Sequence, residues 1–192
     1  MRAGITKDRL ARAGAELADE VGFDQVTLTE VARRFGVKVA SLYSHVAGSD
    51  DLRRRIALLA LEELADRGDA ALAGRSGRDA LAALGDVYRD YAREHPGRYA
   101  AAQLPLDTET ALASAGPRHS AMTRAVLRGY DLGEPEATHA VRLLGSVFRG
   151  FVDLELAGAF GHSEPDSATS WQRALDALDA LLRSWPTTTE RS

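Results

Sequence analysis

Thr27-Leu28-Thr29-Glu30 at one end and Gly36 at the other bracket a short helix, and this bracket constrains the chain more than any other feature. Thr27 and Glu30 have the spacing of a capping box. The Thr27 hydroxyl accepts from the Glu30 amide, and the Glu30 carboxylate reaches back to the Thr27 amide. Leu28, Val31, Ala32 and Phe35 then fall on one apolar face. Gly36 ends the helix as a left-handed residue. A second short helix is predicted over Val39–Ser44, so Phe35-Gly36-Val37-Lys38 joins two helices at a steep angle. That is a helix-turn-helix, in which one helix braces on a phosphate backbone while the next enters a major groove. An ordinary helical hairpin has the same spacing.

The rest of the chain reads as helical too. Ala and Leu are abundant, aromatic residues make up only 6%, and alternating β-branched runs are missing. A first helix starts after Thr6 and buries Leu10, Gly14, Leu17 and Val21. Gly14 costs such a helix about 1 kcal/mol relative to Ala, which close packing against a neighbour would explain. Later helices are predicted over Ser49–Ala73 (capped by Ser49), Arg78–Glu94, Tyr99–Leu104, Thr108–Tyr130 with an irregularity at Gly116-Pro117, Pro135–Phe160 and Ala168–Trp185. The fold expected is all-α. Residues 1–48 are expected to form an N-terminal three-helix helix-turn-helix DNA-binding domain, and residues 49–192 a C-terminal helical bundle.

Composition narrows the function. The 192 residues contain no cysteine, which removes disulfides, thiolate metal sites and Cys nucleophiles. No apolar run is long enough to span a bilayer, and Met1–Asp8 has no signal-peptide character, so a cytoplasmic protein is expected. Five scattered histidines lack metal-site spacing, and GxSxG, P-loop and GxGxxG motifs are missing. No catalytic residue, cofactor or metal is expected. The net charge of -4 hides an asymmetry: residues 1–55 carry ten Lys/Arg against eight Asp/Glu, and the acidic excess lies beyond them. A mildly basic head on an acidic body suits nucleic-acid binding by the head.

Gly22-Phe23-Asp24-Gln25-Val26-Thr27-Leu28-Thr29-Glu30-Val31-Ala32-Arg33-Arg34-Phe35-Gly36-Val37, followed by Ser41-Leu42-Tyr43-Ser44-His45, resembles the DNA-binding head of the TetR family of transcriptional regulators. The likeness runs without a gap over about residues 6–55. It implies a homodimeric regulator that binds a palindromic operator in double-stranded DNA and is released by a small-molecule effector. It also implies roles for single residues. Thr27 caps and touches a phosphate; Lys38, Val39, Ala40 and Ser41 lie on the recognition helix; Tyr43 and His45 reach phosphates. Three positions depart from the pattern: Val46 stands where Phe is usual, Ser49 where Lys is usual, and Lys38 where Ser or Thr opens the recognition helix. Arg53, Arg54 and Arg55 are candidates to replace the missing lysine.

In the C-terminal part, Glu94-His95-Pro96-Gly97-Arg98-Tyr99 and Gly150–Gly158 resemble the WHG-type regulatory domain of this family. Trp171, Leu175, Leu178 and Leu182 follow a heptad-like spacing, and Val141, Phe148 and Val152 make a second apolar face. These residues are expected at a dimer interface, although each stripe also suits the chain's own core. Tyr88, Tyr91, Tyr99, Gln103, Met122, Phe148 and Phe151 are the candidate lining of an effector pocket. The readings outside this class are a helical dimerising adaptor without DNA binding and a small helical enzyme.

Overall fold

In the computed structural model, which describes residues 5–186, all regular structure among the described residues is helical. The α-helices are α1 (Lys7–Val21), α2 (Leu28–Phe35), α3 (Ser49–Leu72), α4 (Gly77–Glu94), α5 (Pro96–Ala102), α6 (Thr108–Ala113), α7 (Gly116–Leu127), α8 (Glu136–Leu156) and α9 (Ser167–Arg183). Two compact units are formed: Met1–Ala65 with Tyr91–Gly116, and Asp66–Asp90 with Pro117–Ser192. These structural units are not the functional division drawn at residue 48 from the sequence. Both α3 and α4 contribute residues to each unit.

The first unit is built on small-residue approaches. The Thr6 hydroxyl caps α1 by accepting the Arg9 amide at 3.2 Å. Leu10, Gly14 and Leu17 are buried as expected, but Val21 in the last turn is half exposed, at 48%. Gly14 is small for a reason: a Cβ there would lie 2.6 Å from Cδ1 of Ile56 on α3. Gly97 on α5 is tighter still, because a Cβ would meet the Ala18 carbonyl group of α1 at 2.0 Å. The helix expected at Tyr99–Leu104 begins earlier, at Pro96, whose missing N–H costs nothing at a first helical position.

Two caps differ from expectation. Thr27 accepts the Glu30 amide at 3.3 Å. The Glu30 carboxylate does not reach back; it takes Nε and Nη2 of Arg33 at 3.0 and 2.8 Å. At the start of α3 the side-chain contact comes from Asp51 rather than Ser49, the Asp51 carboxylate accepting the Ala47 amide at 3.0 Å. Gly36 has φ +64° and its amide donates to Ala32 and Arg33, the predicted left-handed stop.

The segment predicted as helical over Thr108–Tyr130 with an irregularity at Gly116-Pro117 is two helices, α6 and α7, parted just before Gly116 and followed by a 3-10 turn at Arg128–Tyr130. Asp107 caps α6 through the Thr110 amide at 2.8 Å, and the Ser114 hydroxyl accepts the Gly116 amide at 2.9 Å. In the second unit Asp166 caps α9 through the Thr169 amide at 2.7 Å. The helix α8 ends at Leu156 rather than Phe160, where Gly158 turns the chain with φ +76°. The core here is aromatic, with Phe148 and Phe151 ring centroids 5.7 and 4.9 Å from Trp171. Gly85 leaves room for it, since a Cβ there would lie 2.9 Å from the indole.

Candidate nucleic-acid interface

The recognition segment is a 3-10 turn at Val39–Leu42, shorter than the Val39–Ser44 helix predicted. Its cap position is held by Lys38, which has no acceptor to offer the first amides, and no side-chain cap bond forms. Leu42 is fully buried and plugs the turn into a core of Leu10, Leu17, Val26, Val31 and Ile56. Val39 is half-buried against the same core. Lys38, Ala40, Ser41 and Tyr43 are exposed, Tyr43 by 59%. His45 is half-buried. Ser44 donates to the Ser41 carbonyl at 3.0 Å. Thr27 is exposed, its hydroxyl engaged in the cap of α2.

The arginines around this surface are tied to the unit itself. Arg34 pairs with Glu20 and lies 3.8 Å from Glu16. Arg53 holds Asp24 at 2.9 Å and stacks on the Phe23 ring 4.4 Å away, which fixes the turn after α1 to α3. Arg55 is bonded to Asp51 at 3.2 Å. The Asp51 carboxyl is held below its ordinary range: burial pushes it up, but the Ala47 amide and Arg55 outweigh that. Of the three arginines considered as substitutes for the missing lysine, Arg54 has the most exposed side chain.

The candidate effector residues fall in both units. Tyr91, Tyr99 and Gln103 belong to the first, where Tyr91 is buried and donates to Glu63 at 3.0 Å. Tyr88, Met122, Phe148 and Phe151 belong to the second. There the Tyr88 hydroxyl meets Nδ1 of His119 at 2.8 Å, and burial pushes the phenol up to about 12. Tyr88 also faces Phe148 at 6.2 Å, so Tyr88, Phe148 and Phe151 are joined through Trp171 in one aromatic group. Met122 lies against Gly68 and lines an open cleft of about 440 Å³ with Leu72, Ala121, Ala125 and Arg128.

The residues expected at a dimer seam correct the sequence reading. Trp171, Leu175, Leu178 and Leu182 are buried within this single chain, as are Phe148 and Val152, and Val141 is half-buried. A heptad-like stripe is the pattern of any helix packed on its own core, and that is the side these residues face. Two polar clusters escaped the sequence reading, because their partners are distant along the chain. Arg89 pairs with Glu155, and Asp19 accepts the Arg98 amide at 2.9 Å and Nδ1 of His95 lies 3.1 Å from it.

A short helix stopped by a left-handed glycine, a buried Leu42 anchoring the next turn and an exposed face of Lys38, Ala40, Ser41 and Tyr43 together form a helix-turn-helix. The pattern of the bacterial regulatory proteins, tetR family, matches residues 10–56, and that of a tetracyclin repressor-like, C-terminal domain matches residues 81–178. The chain is 31% identical over 173 residues to Rv0681, an uncharacterized HTH-type transcriptional regulator of Mycobacterium tuberculosis, covering 86% of this chain and 77% of the relative. It is 31% identical over 163 residues to YobS, another such regulator, of Bacillus subtilis, covering 85% of each. Among solved structures, a Rhodococcus protein of unknown function superposes with a TM-score of 0.77 at 20% identity, covering 93% of this chain and 96% of that one. A TetR variant from Acinetobacter baumannii in complex with minocycline superposes with a TM-score of 0.70 at 22% identity, covering 96% and 100%. The chain belongs to the TetR family and is a DNA-binding transcriptional regulator, not an enzyme. Operator binding, dimerisation and small-molecule effectors are typical of that family. Among the described residues no helix is long and apolar enough to cross a membrane.

Proposed function

We propose that this chain is a cytoplasmic homodimeric repressor that holds a palindromic operator and lets go when a small, mostly apolar molecule binds residues 49–192. The carrying observation is the exposed face Lys38-Ala40-Ser41-Tyr43 on a turn anchored by Leu42. In this reading Lys38, Val39, Ala40 and Ser41 meet the groove, and Thr27, Tyr43 and His45 meet phosphates. Dimerisation uses the outer sides of α8 and α9, where Leu154, Leu156 and Leu181 are exposed and Gly145 faces open space. The effector is sensed around Tyr88, Met122, Phe148 and Phe151, with Tyr91, Tyr99 and Gln103 as candidates in the other unit.

Binding-site selection from genomic DNA tests this directly. Recovered sites should be inverted repeats, with half-sites about 34 Å apart. A thermal-shift screen of apolar metabolites, followed by operator titration with each hit, tests the effector. Coupling of ~1–3 kcal/mol would change operator affinity by about 5- to 150-fold. Non-palindromic sites, or hits that leave operator affinity unchanged, would refute the respective parts. A dimerising adaptor would select no sites.

A further inference from the structure

The recognition turn carries a restricted set of side chains, and that set limits which bases it can read. From Gly36 to Val46 the chain contains no Asn, Gln, Asp, Glu or Arg. The pairings that read adenine through an amide and cytosine through a carboxylate are therefore missing from this segment. Recognition elements of this type meet base edges with their N-terminal residues, which here are Lys38 to Ser41. Among the four, Val39 is half-buried against the core of the unit. Lys38 is exposed, and no carboxylate among the described residues pairs with it. Ala40 presents a bare methyl group to solvent, and Ser41 a hydroxyl that suits any base. The nearby arginines on α2 are held by Glu30 and Glu20.

We infer that Lys38 and Ala40 set the operator sequence: each half-site holds a guanine whose O6 and N7 accept from the Lys38 ammonium, and a thymine whose 5-methyl packs on Ala40. This rests on the DNA-binding reading and adds which bases are read. The remaining half-site positions are read through DNA shape or not at all.

The test takes the full chain, selects its site from random duplexes, and scans that site with single-base analogues at fixed salt. Replacing guanine by 7-deazaguanine removes N7, and replacing thymine by deoxyuridine removes the methyl. One guanine per half-site should be sensitive by about 5- to 150-fold, and one thymine by about fourfold. Lys38→Ala should abolish the first sensitivity alone, Ala40→Gly the second alone, and Lys38→Arg should keep the guanine. Unchanged melting of each variant separates loss of reading from loss of fold. A specific site whose guanine sensitivity persists in Lys38→Ala overturns the inference and leaves DNA binding standing. Selection of no site overturns both.

Discussion

Arg89 on α4 grips Glu155 on α8 through both carboxylate oxygens, Nε to Oε2 at 2.8 Å and Nη2 to Oε1 at 2.6 Å. Both side chains are nearly out of water, at 8% and 13% exposure. The Ser167 hydroxyl donates to the same carboxylate at 2.7 Å, so the start of α9 is held as well. Hydrogen bonding to Glu155 raises the Arg89 pKa above its ordinary value. Removing one partner leaves a buried charge uncompensated. Glu155→Gln should therefore cost about 3–5 kcal/mol of stability. The double change Arg89→Met, Glu155→Leu should recover most of it. Urea unfolding of the single and double variants checks both, and a single variant within 1 kcal/mol of wild type, roughly the value of an exposed pair, would contradict the buried-pair reading.

Gly97→Ala should be far more damaging than its size suggests. The added Cβ would sit 2.0 Å from backbone atoms of Ala18, which cannot rotate away as a side chain can. Helices α1 and α5 must then separate, exposing Ala18 and Ala101, both fully buried. A loss of at least about 3 kcal/mol is expected, at the upper end of overpacking costs. Gly14→Ala meets side-chain atoms of Ile56 and Leu52, which can shift as backbone cannot, and should cost less. Thermal melts of the two variants side by side would settle the order.

The contrast between these glycines shows what the sequence exposes. Gly14 announces itself by interrupting an apolar helical face, and Gly36 by following one. The start of α2 and the left-handed stop were readable because they depend on neighbours within four residues. Arg53 on Asp24, Arg98 on Asp19 and Arg89 on Glu155 were not, because their partners lie 29 to 79 residues away. The seam through Trp171, Leu175, Leu178 and Leu182 is a different kind of failure. Periodicity reports that a stripe is buried, never against what, and here it faces the chain's own interior.

Acid should loosen the helix starts. Asp166 and Asp107 are held below the ordinary carboxylate range chiefly by the Thr169 and Thr110 amides they accept. A depressed folded pKa means the stabilisation is present above the unfolded value near 4 and is lost as pH falls through the folded one. Asp166→Ala should lower the melting midpoint at pH 7 but make little difference at pH 2. Asp166→Asn, which still caps, should resemble wild type at pH 7. Equal penalties for the Ala variant at both pH values would contradict the cap.

Phosphate contacts should separate by charge in a salt titration. Arg54→Ala should reduce the slope of log K against log salt by about one unit, because it removes a cation. Tyr43→Phe should weaken binding at every salt concentration with the slope unchanged, because a neutral hydroxyl releases no counterion. Neither change touches a buried group, so melting should stay within about 0.5 kcal/mol of wild type. A Tyr43→Phe variant with wild-type affinity throughout would remove this residue from the interface.

Leu178 and Leu181 lie three residues apart on α9 and should answer oppositely to the same substitution. Leu178 is buried, at 6% exposure, so Leu178→Glu places a carboxylate inside the unit. It should unfold or strongly destabilise the chain, and any loss of dimer would follow from that. Leu181 is 39% exposed on the outer side of α9. Leu181→Glu should leave folding intact and put two like charges into an interface built on that side. Sedimentation at micromolar concentration should then show a folded monomer with weakened operator binding, since one head covers one half-site. Gly145→Ala serves as a milder probe: a Cβ there meets nothing within 4 Å in the single chain. It should therefore raise monomer stability by up to about 1 kcal/mol while weakening any close helix approach across the dimer. If Leu181→Glu sediments as the wild type does and Gly145→Ala binds the operator as tightly, the dimer is built on another surface.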